Sequence, residues 1–224
     1  MSSIKDLLAY KIAKEIYYWG KNAFLMPFIT FYKNIRNVTK DHLYEKKLGI
    51  NTTGDSRVVN DKTMFRDSIP YVPTPYDVIG KMLSHLHFSK DDVFVDLGCG
   101  KGRIVFSVAA KKLKKVIGIE ARKDMYNIAM ENLKNSKLKN TPLQIVNADV
   151  AIYDMKEGTV FFMYSPFGEK TQKAVIKNIK ESLVKKPRKI RIACYNCQIE
   201  GAEWLERKEK IEKTNVSIWS NKQS

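Results

Sequence analysis

Residues Val93 to Gly102 read V-F-V-D-L-G-C-G-K-G and constrain this chain more than any other stretch. An apolar run ends in an acid, and glycines follow at alternate positions, Gly98, Gly100 and Gly102. A helix-like segment, Arg103 to Lys112, comes directly after. Strand, glycine loop and helix in this order build a nucleotide-type binding turn, with backbone N–H groups of the helix aimed at the loop. Without Cβ atoms, Gly98 and Gly100 let the backbone turn tightly and approach a ligand. Such a loop alone also fits an ordinary tight turn. The next strand decides between the two: Lys115 to Glu120 reads K-V-I-G-I-E. Its terminal acid lies about 20 residues on, where a carboxylate accepts from ribose hydroxyls.

The alternation continues down the chain. Strands are expected at Val93 to Leu97, Lys115 to Glu120, Leu143 to Asp149, Thr159 to Tyr164 and Lys189 to Asn196. Helices are expected at Arg103 to Lys112, Asp124 to Lys137 and Glu169 to Lys185. This pattern means a mostly parallel sheet with helices on both faces. Trp204 to Glu212 and Asn215 to Ser220 read as a closing antiparallel hairpin. Upstream, I-P-Y-V-P-T-P-Y-D (Ile69 to Asp77) holds the backbone extended through its prolines. A helix then begins near Pro75 or Tyr76, with Thr74 as its cap and Val78, Ile79, Met82, Leu83 and Leu86 as its buried face.

The N-terminal part differs. Ile4, Leu7, Leu8, Ile12, Ile16 and Tyr17 recur at helical spacing, and a second amphipathic stretch follows Pro27. Two readings stand: a lid that packs on the main domain, or a basic, aromatic surface helix that touches a membrane or a nucleic acid. Asp41 to Pro70 is polar and turn-rich, with Leu48 to Asp55 a loop or connector. The expected division is a helical extension and connector over 1–68 and an α/β domain over 69–224.

A formal charge of +16 is the strongest compositional feature. Gly100 to Asn140 carries eleven Lys or Arg against three acids, and Lys170 to Arg191 nine against one. Such a surface attracts nucleic acid, acidic protein or anionic lipid, or simply faces water. Cys194 and Cys197 are spaced C-x-x-C without a second pair or a His cluster, so no metal site is expected. With Cys99 they read as free thiols, which suits a reducing, cytoplasmic location. Met1 to Gly20 is charged throughout and has no small-residue cleavage site, so no signal peptide is expected. Ala23 to Tyr32, interrupted by Pro27, is too short to span a bilayer.

From Ile69 to the end, about two-thirds of the chain, the motif set resembles a class I S-adenosylmethionine-dependent methyltransferase. D-L-G-C-G-K-G-R matches that family's glycine loop, V-I-G-I-E its acidic strand-two end, and N-A-D (Asn147 to Asp149) its adenine-side acid. Y-S-P-F-G (Tyr164 to Gly168) falls where the family keeps its active-site motif. The resemblance implies a Rossmann-like, seven-stranded, mostly parallel sheet with a C-terminal antiparallel strand and S-adenosylmethionine as cofactor. It implies cofactor contacts from Asp96 to the ammonium, Gly98 and Gly100 to the methionine portion, Glu120 to the ribose, and Asp149 with the Ala148 N–H to the adenine. P-Y-V-P-T-P is similar to the upstream segment of small non-SET protein-lysine methyltransferases, in which such aromatic and hydroxyl residues, here Tyr71 and Thr74, reach back over the cofactor. Y-S-P-F-G departs from that group and has one proline where amino-N nucleic-acid methyltransferases have two.

Ser165, Pro166 and Phe167 are the candidates nearest the reacting methyl. Tyr71, Phe167 and Tyr195 could wall an apolar channel that lowers a lysine pKa by desolvation. Arg103 either pairs with a carboxylate near the loop or begins the helix, and His85 and His87 read as surface residues. The expected activity is N-methylation of a protein lysine. Methylation of RNA or DNA is the alternative, and a non-enzymatic binding protein is disfavoured by the intact Asp96, Gly98, Gly100 and Glu120 set.

Overall fold

The computed structural model describes residues 41–54, 71–138, 142–164 and 167–222. The chain forms two compact units, Met1–Ile50 and Asn51–Ser224. In the first, residues 41–48 are helical, closed by the Ile50 N–H donating to the Glu45 carbonyl at 3.0 Å. The expected helices before Asn37 and the expected boundary at 68/69 lie outside the described residues.

The second unit is a seven-stranded sheet in the order β3-β2-β1-β4-β5-β7-β6. The strands are β1 (Val93–Leu97), β2 (Lys115–Glu120), β3 (Leu143–Asn147), β4 (Val160–Tyr164), β5 (Arg191–Tyr195), β6 (Leu205–Lys210) and β7 (Val216–Asn221). Pairs among β1 to β5 are parallel, whereas β7 runs antiparallel to both β5 and β6. This is the expected Rossmann-like sheet with its closing hairpin.

Four helices cover it: α1 (Tyr76–His85), α2 (Arg103–Ala109), α3 (Lys123–Asn135) and α4 (Glu169–Lys185). The period of two in β1 splits the core. Phe94 packs with Ile79 and Met82 of α1, Val105 and Val108 of α2 and Ala129 of α3. Val93, Val95 and Leu97 pack on the opposite face with Val175 and Ile179 of α4. Buried strands of this kind read as continuous apolar runs because both faces are covered.

Several expected boundaries run long. α2 stops at Ala109 rather than Lys112, since Lys112 takes φ +57°, which ends the helical repeat. α3 ends at Asn135, because Ser136 becomes extended and its hydroxyl accepts the Leu138 N–H at 3.1 Å. β3 ends at Asn147 rather than Asp149, and β5 begins at Arg191 rather than Lys189. Thr74 does not cap α1. Pro75 is the N-cap, and the buried Thr74 instead offers its carbonyl to Arg103. His85 sits at the surface with Nδ1 2.7 Å from Glu209 Oε1, and His87 is exposed.

Candidate functional site

The glycine loop follows β1 and is stitched to β2. The N–H groups of Gly98 and Cys99 both donate to the Ile119 carbonyl, at 3.0 and 2.9 Å. Gly100 adopts φ +54°, which L residues rarely hold, and a Cβ there would meet the Tyr71 ring at 2.3 Å. An aromatic ring therefore packs against the loop only because residue 100 has no side chain.

Glu120, at the end of β2, closes the loop from the other side. Its Oε2 accepts the Gly100 N–H and its Oε1 the Arg122 N–H, each at 2.8 Å. Burial pushes its carboxyl up, and the two N–H donors hold that rise back. Asp96 is 2% exposed, and its carboxyl makes no hydrogen bond among the described residues. Burial first, and the Glu120 charge second, push its carboxyl well above the usual range. Two buried carboxyls thus face one loop. Cys99 beside them is a buried thiol, pushed up by burial and by both acids.

Residues far upstream complete the wall. The Tyr71 hydroxyl donates to the Thr52 carbonyl at 2.8 Å, and Lys101 Nζ donates to the Thr53 carbonyl at 2.7 Å while lying 5.2 Å from the Tyr71 ring centre. Arg103 does more than open α2. It is buried, donates from Nε to Thr52 Oγ1 at 2.8 Å and from Nη1 to the Thr74 carbonyl at 3.2 Å, and stacks 4.4 Å from the Tyr76 ring. Asn132 of α3 grips Asn51 twice, accepting its N–H at 2.8 Å and donating to its carbonyl at 3.0 Å, and also donates to the Lys101 carbonyl at 3.0 Å. Asn51, Thr52, Thr53 and Asn132 were missed as site builders by sequence reasoning, and Arg103 was singled out without these partners. The one available signal was the N-T-T run before Gly54, short hydrogen-bonding side chains without strand or helix periodicity.

The third strand end departs from expectation in detail. The Ala148 N–H already donates to the Glu120 carbonyl at 3.2 Å, so in this structure it is engaged by backbone rather than open to a ligand. Asp149 Oδ1 accepts the Ala151 N–H at 2.9 Å, the geometry of an Asx turn.

At the fourth strand end, Ser165 and Pro166 lie outside the described residues. Phe167 is buried in the cluster on the α4 face. Tyr164 and Tyr195 are register partners on adjacent strands, with ring centres 4.4 Å apart, and they pack on the α1 face. Phe167 and Tyr195 therefore belong to opposite faces of the sheet and do not form one wall. Burial first, then Tyr164 and the Asp77 carboxylate, push the Tyr195 phenol up. Asp77, exposed in the first turn of α1, is the acid whose charge reaches that phenol, and sequence reasoning did not single it out. Cys197 Sγ lies 3.6 Å from the Met163 carbonyl, and no His, Cys, Asp and Glu cluster among the described residues is arranged to hold a metal ion.

Comparison with known proteins gives this geometry its relatives. A protein-lysine N-methyltransferase of Saccharolobus islandicus is 35% identical over 97 residues, covering 43% of this chain and 60% of that protein. A histone-lysine N-methyltransferase, H3 lysine-79 specific, of Dictyostelium discoideum is 35% identical over 103 residues, covering 40% of this chain and 6% of that protein. The chain therefore spans less than two-thirds of either relative. The crystal structure of an RNA methyltransferase from Salinibacter ruber, in complex with S-adenosyl-L-homocysteine, superposes with a TM-score of 0.55 at 25% identity, over 68% of this chain and 95% of that one. The family model of histone methylation protein DOT1 matches residues 52–178. That match covers more than half of the chain and runs from Thr52, which anchors Tyr71 and Arg103, through the glycine loop and both buried carboxyls into α4, so the chain belongs to the DOT1 histone-methylation family.

Proposed function

We propose that this chain transfers a methyl group from S-adenosylmethionine to the side-chain amine of protein lysines. The observation that carries the reading is the buried, hydrogen-bond-free Asp96 carboxyl beside Glu120 at a glycine loop. A carboxyl so placed is costly unless a cation arrives to pair with it. The aminoacyl end of S-adenosylmethionine brings such a cation, and Glu120 offers acceptors for ribose hydroxyls, so the residues present fit the cofactor. Tyr71 covers the loop, and Asp149 would accept from the adenine amino group.

The cofactor supplies a methyl group on a sulfonium, a leaving group already activated by charge. What remains for the chain is to align an amine, strip its proton and exclude water. Tyr164 and Tyr195 supply an aromatic, half-buried surface at the strand ends, where desolvation lowers a lysine pKa and the neutral amine becomes accessible. Asp77 can hold the incoming ammonium before the proton leaves to solvent. Ser165 and Pro166 stay the candidates for the acceptor side, on the resemblance of Y-S-P-F-G to the family's active-site motif. A cytoplasmic location belongs to the same reading, supported by three cysteines that form no disulfide among the described residues.

Calorimetry tests the donor: S-adenosylmethionine or its demethylated product binds the wild type, and Glu120→Ala weakens that binding at least 50-fold. Tritiated methyl transfer in a cell lysate tests the acceptor: label resistant to nuclease and sensitive to protease is expected. Nuclease-sensitive label would transfer the assignment to nucleic acid.

A further inference from the structure

Because β1 to β5 run parallel, the connections that enter β1, β2, β3 and β5 from the helices all arrive at one edge of the sheet, opposite the glycine loop. Each brings lysine. Lys90 precedes β1, Lys111, Lys112 and Lys114 precede β2, Lys137 precedes β3, and Lys186 and Lys189 precede β5. All seven are exposed, and none makes an ion pair among the described residues. Three of the acids at this edge are already engaged: Asp92 by Arg191 at 2.6 Å, Glu157 by Lys115 at 2.9 Å and Asp154 by Lys156 at 2.8 Å. Only Asp91 among the described connections keeps an exposed carboxylate outside any ion pair. The opposite edge holds Asp96, Glu120, Asp124, Asp149 and Glu169 together with Lys101, Arg103, Arg122, Lys123 and Lys170. Acids and cations are mixed there, whereas the entering edge carries lysines in excess of its unpaired acids.

We infer that this amino-terminal edge docks the phosphate backbone of nucleic acid, leaving the glycine-loop edge free for chemistry. From β3 to β5 the lysine row crosses five strands, about 19 Å at ~4.8 Å per strand. One strand of a duplex presents a phosphate about every 3.4 Å of axis, so the row is long enough to meet roughly five. Leu113 and Ile190 on these connections are buried, and among the described residues Val184 in the last turn of α4 and Ile152 in the β3–β4 connection are exposed, two apolar side chains against seven lysines. A polyanion backbone therefore suits the edge better than a lipid surface, where apolar insertion adds much of the affinity.

Fluorescence anisotropy with the full chain and a labelled 20-base-pair duplex tests this. Affinity should fall steeply between 50 and 200 mM salt. Lys111→Glu, Lys112→Glu and Lys114→Glu together should weaken binding at 50 mM salt at least 10-fold and flatten the salt slope by roughly two to three. A control triple with the same charge change on the first turns of α4, Lys170→Glu, Lys173→Glu and Lys177→Glu, should cost less than 3-fold. Circular-dichroism melting checks that both variants fold, independently of whether the methyl-transfer proposal holds. Equal losses in the two triples would mean a diffuse charge effect and overturn the docking edge. So would salt-insensitive binding, or binding to phosphatidylserine vesicles without binding to the duplex.

Discussion

Two buried aspartates stand at the two ends of β1, and they are treated in opposite ways. Asp92, just before the strand, accepts from the Ser89 N–H at 2.7 Å, from the Thr159 hydroxyl at 2.8 Å and from Arg191 Nη2 at 2.6 Å. Arg191 in turn donates to the His87 carbonyl at 2.7 Å, so the whole knot ties α1, β1, β4 and β5 together. Asp96, four residues on, has a carboxyl that makes no hydrogen bond among the described residues and faces another acid. Folding alone explains the first aspartate. Nothing in the folded chain repays burial of the second, and the difference marks which end of the strand is kept for a ligand.

The comparison can be broken most sharply at Asp92. Asp92→Ala strands Arg191 and should cost about 3–5 kcal/mol in chemical denaturation. A loss under about 1 kcal/mol would show that the knot is ornamental and the two ends alike.

Asp96→Asn should do the reverse. Because burial raises the folded-state pKa of this acid, the folded protein holds a proton that the unfolded chain has already released. Stability then falls as pH rises from the ordinary carboxylate range through the raised value. Asp96→Asn removes that loss, so at neutral pH the variant should be more stable than wild type by about 1–2 kcal/mol, the cost of an unpaired buried polar group. The gap should close in acid, below the ordinary carboxylate range. Denaturation curves across pH provide the check, and a gap that widens in acid would contradict it. The same variant should bind S-adenosylmethionine about 10- to 100-fold more weakly, the value of one charge-assisted hydrogen bond.

Gly100→Ala sharpens the loop end of the comparison. It places a Cβ against the Tyr71 ring at a φ of +54° and should cost about 1–3 kcal/mol. Adding Tyr71→Ala should recover part of the loss, since the clash but not the φ strain disappears. The smallest effect belongs to deletion of residues 1–37, for which cofactor affinity within about two-fold of wild type is expected. A larger drop would assign the N-terminal segment to the site.

Much of the fold was legible because period and punctuation are local. Alternating apolar runs and helical stripes located every strand and helix of the α/β domain to within a few residues. The errors fell where a single backbone choice ends an element, as at Lys112 and Ser136. The site was legible where it is built from consecutive residues, as in the glycine loop and Glu120. It was not legible where partners lie far apart. Thr52 reaches Arg103 across 51 positions, and Asn132 reaches Asn51 across 81. Phe167 and Tyr195, grouped in one wall by chemistry, were separated by the faces of the sheet.

By itself the sequence determined the order of strands and helices, the glycines that permit the tight loop, and the acids that end β1 and β2, since these follow from side-chain periodicity and from which residues tolerate a left-handed backbone. Only the tertiary structure decided that Asp92 would be knotted and Asp96 left unpaired, that Tyr71 would lie on Gly100, and that scattered lysines would meet along one edge. Those outcomes depend on strand order and register, which bring together residues that the chain itself keeps dozens of positions apart.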